Sequence, residues 1–461
     1  MIVDKTVVEQ LKEIMGQGAV LHSPEDLAVY SYDSTFAEHR PDVVVLPSTT
    51  EQVSRVVALA AQERVPVVTR GMASGLTAAS VPFSGGIALL MTRMNRLLEI
   101  DEQNATARVE AGIVTADLQA EVEKRGLFYP PDPSSIRHST IGGNIACNAG
   151  GPRCLKYGVT GDYVLGLTVV LADGRVLRTG GKLIKDVVGY DLTALFTGSE
   201  GTLGVITEAL LRLTAKPRFA RTALVEFSSL ADASRTVNAI LSAGIVPATL
   251  ELMDETAVAC IEEAMHLGLP LDVEAILLVE TDGTDEGAVL REIEAAAQLC
   301  RESGARQIRV AKDETERSNL WKARRSVSPS LARKAPNKLG EDITVPRSAI
   351  PEAVRRLKAI SAKYGLPIVI FGHAGDGNLH PNILFDKRDP VQWAKIEPMV
   401  SDIFDTSLQL GGTLSGEHGV GTLKRPYMER ALGPVSIEMQ KRIKQVLDPF
   451  NILNPGKVFP D

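Results

Sequence analysis

The sequence predicts an α+β protein of at least two domains, and three observations carry that prediction. At 461 residues the chain is longer than one hydrophobic core usually organises. Strand and helix signals alternate through its first half. Beyond Arg218 the texture shifts to longer Ala- and Glu-rich helices, at residues 232–243 and 284–303, interleaved with strands such as 276–280, which sets a domain boundary near residues 216–218. With 44% hydrophobic and 23% charged residues, the composition is that of an ordinary globular protein. The net charge of −7, with no stretch that concentrates Lys and Arg, excludes a nucleic-acid footprint and an electrostatic membrane anchor. No apolar run is long enough to span a bilayer, and residues 1–12 read as an amphipathic helix, not a secretory signal, so the expected location is cytoplasmic. Cys147, Cys154, Cys260 and Cys300 form no C-x-x-C pair and are expected as reduced thiols.

The elements follow in order. Residues 42–46 form a strand, Ser48 to Glu51 a capping box, and a helix runs on to about residue 62. A second strand at 65–69 ends in a glycine-rich loop, and short strands follow at 87–91 and 107–111. Between residues 126 and 204 glycine clusters separate β-type segments such as 166–172, the pattern of backbone that turns with positive φ or approaches a ligand closely.

Four loops in this half are able to cradle a phosphate with oriented backbone N–H groups: 70–75 (Arg-Gly-Met-Ala-Ser-Gly), 140–144 (Thr-Ile-Gly-Gly-Asn), 148–151 (Asn-Ala-Gly-Gly) and 198–204 (Gly-Ser-Glu-Gly-Thr-Leu-Gly). Taken singly, each reads as a tight turn; their concurrence in one domain is the signal. None has the strand–G-x-G-x-x-G–helix setting of a nicotinamide-binding fold.

Together with 131–134 (Pro-Asp-Pro-Ser), Lys156-Tyr157-Gly158 and 185–191 (Lys-Asp-Val-Val-Gly-Tyr-Asp), these loops make the chain resemble, over nearly its whole length, the FAD-linked oxidases of the p-cresol methylhydroxylase and vanillyl-alcohol oxidase superfamily. The resemblance implies a two-subdomain FAD-binding domain over 1–217, an α+β substrate and metal-binding cap domain over 218–440, and a segment 441–461 that returns to the flavin. It implies that Arg70, Gly71, Met72, Ala73, Ser74, Gly75 and Leu76 wrap the FAD pyrophosphate with Gly142, Gly143 and Asn144. Gly201, Gly204, Val205 and Ile206 are expected near the adenosine. Pro131, Asp132, Ser134, Thr140 and Glu200 join the cofactor-binding set, as do Asn148, Ala149, Gly150, Gly151, Tyr157 and Gly158. Asn454 and Lys457 are expected near the isoalloxazine. Covalent members carry a histidine in or near the first loop, whereas this chain has Met72, Ala73 and Ser74, so the FAD is expected to be non-covalent, with Ser74 as a hydroxyl donor.

The most specific chemistry lies at 371–382 (Phe-Gly-His-Ala-Gly-Asp-Gly-Asn-Leu-His-Pro-Asn), between apolar runs that predict two strands joined by a Gly-Asp-Gly turn. Symmetric pairing about that turn sets His373 opposite His380 on one face, and the strand period points Asn382 the same way. Two imidazoles on one face suit a divalent metal with a carboxylate as third ligand, and Glu417 is the candidate, with His418 reaching the open side. A lone two-histidine hairpin more often holds a hydrogen-bonded pair; three of the seven histidines in two glycine-framed loops favour a site. These motifs are similar to those of the D-2-hydroxy-acid dehydrogenases of the superfamily, the group of the D-lactate dehydrogenases, the glycolate oxidase flavin subunit and D-2-hydroxyglutarate dehydrogenase. The resemblance implies that His373, His380 and Glu417 bind zinc, iron or manganese, that His418 is the base and that Asn382 contacts substrate. It also implies that Arg324, in 321–328 (Trp-Lys-Ala-Arg-Arg-Ser-Val-Ser), holds the substrate carboxylate, a task that suits a planar guanidinium. Lys338 is expected to add positive charge, against the plainer reading of a solvent-exposed lysine.

The expected activity is FAD-dependent, metal-assisted oxidation of a small D-2-hydroxy acid to the 2-oxo acid. D-lactate or glycolate is favoured because Lys156-Tyr157-Gly158, after Arg153-Cys154-Leu155, resembles glycolate oxidase flavin subunits. No other redox centre is legible in the chain, so the electrons are expected to pass to a partner, an electron-transferring flavoprotein or an iron–sulfur subunit. Four alternatives stay open: D-2-hydroxyglutarate dehydrogenase, a flavin subunit that only relays electrons, a non-redox alkyl-glycerone-phosphate synthase, and a metallohydrolase that leaves the flavin loops unexplained.

Overall fold

Three apolar runs, Val43–Val45, Ile87–Leu90 and Val67–Arg70, pair in parallel, with Val20–Leu21 antiparallel on the outer edge. In this structure, a computed structural model that describes residues 3–460, Val43–Val45 and Ile87–Leu90 are buried throughout. Parallel strands are covered on both faces, which is why they read as continuous apolar runs. The crossover helix Thr50–Glu63 turns Val53, Val56, Val57 and Ala60 inward at helical spacing. Its N-cap is Thr49, not Ser48: the Thr49 hydroxyl accepts from the Gln52 N–H at 3.2 Å, and Gln52 Oε1 accepts from the Ser48 N–H at 2.8 Å. The cap therefore sits one residue later than predicted, because Gln52 and not Glu51 supplies the reciprocal acceptor.

A second, antiparallel sheet follows in the order Leu97–Asp101, Thr106–Glu110, Val205–Arg212, Val164–Val170, Val176–Gly180. The chain's end returns to the first sheet: the Val67 N–H donates to the Ile452 carbonyl at 2.7 Å, and the Asn454 N–H to the Val67 carbonyl at 2.8 Å. Ile452 and Leu453 thereby join the core of Val43, Val45, Ile87 and Leu89, which helix Lys5–Met15 also enters through Val7 and Leu11. Lys444 anchors the helix Pro434–Leu447 that leads into this tail, donating to the carbonyls of Thr202 at 2.7 Å and Leu453 at 2.8 Å.

These elements form one of two compact units, which comprises Met1–Gly150, Val159–Lys216 and Glu417–Asp461. The other comprises Gly151–Gly158 and Pro217–Gly416. The 417–421 loop is fastened inside the first unit by Glu200 and Thr77.

The second unit is built on an antiparallel sheet of eight strands. Their order is Ala305–Val310, Phe219–Phe227, Ala275–Gly283, Thr249–Asp254, Ile368–His373, Asn378–Phe385, Asn337–Gly340, and Ile343–Thr344 also pairs with Asn378–Phe385. The three central strands Thr249–Asp254, Ile368–His373 and Asn378–Phe385 are buried over their whole length. Leu224, Met253, Ile276, Leu278, Val369, Phe371 and Leu384 pack there with Trp321 and Val327 from the helices Glu314–Arg325 and Val327–Lys334. Among the described residues none of the four cysteines is in a disulfide, and no helix is long and apolar enough to cross a membrane.

The turn between Ile368–His373 and Asn378–Phe385 depends on Gly377, whose φ is +87° and where a Cβ would lie 2.1 Å from the Val345 carbonyl oxygen. Gly377→Ala is expected to cost about 1–3 kcal/mol in backbone strain plus the clash, and to lower the melting midpoint. Gly244→Ala is the control, with the same left-handed backbone at φ +79° but nothing within 4 Å. Equal midpoints for the two variants would show that the close approach at Gly377 is unimportant.

Candidate active site

The histidine hairpin pairs Phe371 with His380 and His373 with Asn378. The expectation that His373 lies directly opposite His380 is thus corrected by two residues, because the turn is centred between Gly375 and Asp376, with the Asp376 N–H on the His373 carbonyl at 3.2 Å. A two-residue offset keeps both side chains on one face. Their rings meet edge-on with centroids 5.1 Å apart, and a nitrogen of each lies within 4.8 Å of the other's.

Glu251 lies at the centre of this arrangement. On strand Thr249–Asp254 it is the direct cross-strand partner of His373, with no solvent exposure. Its Oε1 lies 2.6 Å from His373 Nδ1, and its Oε2 accepts from Arg324 Nε at 2.6 Å and contacts Arg324 Nη2 at 2.5 Å. Burial opposes the charge on Glu251, yet the adjacent Arg324 and His373 outweigh it and hold the carboxyl below the ordinary range. Arg324 is itself buried and lies over the Phe371 ring at 5.1 Å. A guanidinium carries five N–H groups; with two on Glu251, three remain without an acceptor among the described residues.

A second carboxylate organises the neighbouring loop. Asp342, fully buried, accepts from Asn378 Nδ2 at 2.6 Å, from Ser415 Oγ at 2.9 Å and from the Gly416 N–H at 2.9 Å, and lies 3.8 Å from His380 Nδ1. Asn382 turns its amide back to the His380 carbonyl at 2.9 Å. Lys338 is tied to Ser328, through the carbonyl at 3.0 Å and the hydroxyl, and burial lowers its pKa. It is therefore not the free surface lysine of the plainer reading. In the other unit, Glu417 Oε1 lies 3.9 Å from His418 Nε2, and the His418 carbonyl accepts from Thr77 Oγ1 at 3.4 Å.

Glu251 and Asp342 are missing from the sequence reading, although a signal was present. Each is an acid within an apolar strand-like run, Thr-Leu-Glu-Leu-Met at 249–253 and Asp-Ile-Thr-Val at 342–345, and a charge so placed is buried only with partners.

In the first unit, the loop at 70–76 forms an open cradle. No described residue accepts a hydrogen bond from the backbone N–H groups of 72–76, and Ala73 holds the left-handed φ of 55°. Five successive donors without a protein acceptor fit the oxygens of a diphosphate. Gly71 seats the loop on Thr140, whose Oγ1 would lie 2.4 Å from a Cβ, and Thr140 caps helix Ile141–Cys147 through the Gly143 N–H. Arg70, expected on the pyrophosphate, donates instead to the carbonyls of Tyr30, Tyr32 and Ser80 and braces the loop from behind.

Other expected cofactor residues have structural ties. Asn144 Nδ2 donates to Thr115 Oγ1 at 2.7 Å, Asn148 Oδ1 accepts from the Gly161 N–H, and the Pro131 carbonyl accepts from Gln119. Glu200 accepts from the N–H groups of Val420 and Gly421 at 2.7 and 2.8 Å; burial raises its pKa against their pull. Asn454 donates to the carbonyls of Ala79 and Glu200. Gly204 packs against Val169, while Val205 and Ile206 are buried in their strand. Tyr157 belongs to the second unit, where its hydroxyl donates to Asp282 at 2.7 Å. Ser134 is exposed, and residues 183–190 expose Ile184, Val187, Val188 and Tyr190 almost completely. Lys457 is buried, donates to the carbonyls of Ala78 and Val81, and lies 4.4 Å from the Phe83 ring centroid. Burial lowers its pKa to about 8, against the pull of Asp33 and Glu200, with Arg425 adding to the fall.

Comparison with known proteins places this pairing of units in one class. Residues 41–180 match the family model of the FAD binding domain, and residues 216–458 that of the C-terminal domain of FAD linked oxidases. The chain is an FAD-dependent oxidoreductase. It is 47% identical to glycolate oxidase subunit GlcD of Bacillus subtilis, over 99% of this chain and 97% of that one. It is 36% identical to D-2-hydroxyglutarate dehydrogenase of Stutzerimonas stutzeri, over 99% of each, and 33% identical to D-lactate dehydrogenase of Anaerostipes hadrus, over 98% and 97%. The solved structure of p-cresol methylhydroxylase with substrate bound shares the fold, with a TM-score of 0.83 at 19% identity over 100% of this chain and 98% of that one. Alkyldihydroxyacetonephosphate synthase shares it too, with a TM-score of 0.75 at 19% identity over 98% and 85%. The chain therefore belongs to the FAD-linked oxidase family, within the group of GlcD and the D-lactate and D-2-hydroxyglutarate dehydrogenases.

The lowered pKa of Lys457 has a measurable consequence in the flavin-free protein. Between pH about 8 and the ordinary 10.5, the unfolded chain holds a proton here that the folded chain has released. This group alone therefore makes stability rise with pH across that window. Lys457→Met removes the rise, so its melting midpoint relative to wild type is expected to be higher at pH 7 than at pH 9.5. A difference that does not change with pH would show that Lys457 titrates normally.

Proposed function

We propose that this chain oxidises a small D-2-hydroxy acid, glycolate or D-lactate, to its 2-oxo acid with FAD held non-covalently, a divalent cation bound by His373, His380 and Glu417, and a partner protein as electron acceptor. The observation that carries the reading is the buried link Arg324–Glu251–His373, which joins a guanidinium with unused donors to one of two facing imidazoles. The donor set fits a cation: a carboxylate only accepts, so the Nδ1 of His373 facing Glu251 is the protonated nitrogen, and Nε2 of the neutral ring keeps its lone pair.

Oxidation removes a hydride equivalent from C2 and a proton from the hydroxyl. When bound, FAD supplies the two-electron acceptor and the cation a Lewis acid for the hydroxyl. The chain's own groups do the rest in this reading. The free N–H groups of Arg324 take the carboxylate and fix which face of C2 is presented, Asn382 and Lys338 contribute polar contacts, and His418 takes the hydroxyl proton. The N–H groups of 72–76 take the cofactor diphosphate. The 47% identity to a glycolate oxidase subunit supports a two- or three-carbon acid, and because that relative is one subunit of its oxidase it also supports a separate acceptor, an electron-transferring flavoprotein or an iron–sulfur subunit.

The test is dye-linked turnover with a panel of glycolate and D- and L-2-hydroxy acids, before and after chelation. Turnover with glycolate or D-lactate that vanishes on chelation and returns with zinc, iron or manganese is expected; indifference to chelation would sink the metal role, and a flavin that none of the acids bleaches would sink the substrate. Arg324→Lys keeps the charge but loses the fork, and is expected to lower kcat/KM by about 10–100-fold with FAD content unchanged. A change smaller than twofold would remove Arg324 from substrate binding.

A further inference from the structure

We infer that Glu251 is a positioning residue that serves both halves of the proposed site at once: it fixes which nitrogen of His373 is offered to the cation, and it locks the Arg324 fork in the orientation that meets the substrate carboxylate. The inference rests on the reading of His373 as a ligand and Arg324 as the carboxylate-binding group.

Glu251 is placed to do this by backbone register, not by a flexible loop. It pairs with His373 across neighbouring strands, Leu278 flanks it on the other side, and its side chain is fully buried. Its two oxygens are divided, Oε1 to His373 Nδ1 at 2.6 Å and Oε2 to Arg324 Nε at 2.6 Å. Both partners present N–H donors, so the site needs an acceptor at both oxygens. A glutamine has the same shape but only one acceptor. If its NH₂ faces Arg324, donor meets donor and the fork is pushed away. If it faces His373, it favours the tautomer with the lone pair on Nδ1 and the proton on Nε2, the nitrogen the cation needs. Either orientation damages one function directly and, through the shared side chain, loosens the other.

A second buried carboxylate supplies the comparison. Glu280, on strand Ala275–Gly283, accepts from Trp321 Nε1 at 2.6 Å, from Thr222 Oγ1 at 2.5 Å and from Arg317 at 3.0 Å. It pins the same helix Glu314–Arg325 and touches neither His373 nor Arg324 among the described residues. Its role is structural.

The experiment compares FAD-loaded wild type, Glu251→Gln and Glu280→Gln. It reads zinc affinity by competition with a chromophoric chelator and carboxylate affinity by the change in the flavin spectrum on titration with oxalate, with kcat and KM measured alongside. Glu251→Gln is expected to keep its FAD, to lose about 10–100-fold in metal affinity and more than tenfold in oxalate affinity, and to raise KM. Glu280→Gln is expected to melt earlier with both affinities within twofold of wild type. Glu251→Asp, which keeps the charge and withdraws it by one methylene, should recover part of both losses, and it carries the test if the glutamine variant does not fold. Retention of either affinity in folded Glu251→Gln would overturn the inference, as would matching losses in Glu280→Gln. Wild-type protein that binds no zinc and ignores chelation would instead sink the reading on which the inference rests.

Discussion

A carboxylate at the centre of a sheet, out of reach of water, is stable only if its surroundings supply donors, since an isolated buried charge is disfavoured by several kcal/mol. The second unit is arranged around that requirement at Glu251. The pairing of Thr249–Asp254 with Ile368–His373 delivers an imidazole to one oxygen, and the last turn of Glu314–Arg325 delivers a guanidinium to the other. The same helix packs on the sheet through Leu320 and Trp321, and Trp321 and Arg317, one and two turns before Arg324, also reach Glu280. Strand register, hairpin turn and helix placement thus converge on one side chain. Removing it would leave an unpaired guanidinium behind, the costlier half of a broken buried pair.

The first unit solves a complementary problem. A loop meant for an anionic cofactor must keep its N–H groups unbonded without collapsing. Here the bracing comes from behind: Arg70 takes the carbonyls of Tyr30, Tyr32 and Ser80, Lys457 takes those of Ala78 and Val81, and the close seat of Gly71 on Thr140 closes the front. The side chains of Arg70 and Lys457 are thus spent on backbone carbonyls, and the N–H groups of 72–76 are left open. A charge inside such a loop is a weak guide to its ligand when the same charge is able to satisfy main-chain acceptors.

Much of the fold was legible because it is written in local pattern. The apolar runs of the parallel strands, the amphipathic crossover helix and the change of texture beyond Arg218 fall where the structure has them, and the histidine hairpin was visible from its turn residues. The misses share a cause, which is that pattern does not report register or long-range pairing. The hairpin centre was off by one residue, so His373 and His380 are diagonal rather than opposed. Thr49 displaced Ser48 as the cap because the reciprocal acceptor is Gln52. The seat of the 417–421 loop is fixed by Glu200, more than two hundred residues upstream, and no local signal marks it. Among the candidate residues, the imidazoles and the guanidinium stand in legible motifs, whereas the carboxylates beside them, Glu251 and Asp342, lie in strands whose apolar character hid them.

The parallel pairing of Val67 with Leu453 bears on how the chain matures during its synthesis. Strand Val67–Arg70 leaves the ribosome early but lacks this neighbour until residues 452–454 follow, after the whole of Pro217–Gly416 has emerged. Domains generally fold as units in the order they appear. Here the middle of the chain is free to complete its own sheet while the flanking halves wait, with the edge of the first sheet exposed for most of translation. An edge of that kind offers unpaired N–H and C=O groups to other chains until the tail arrives.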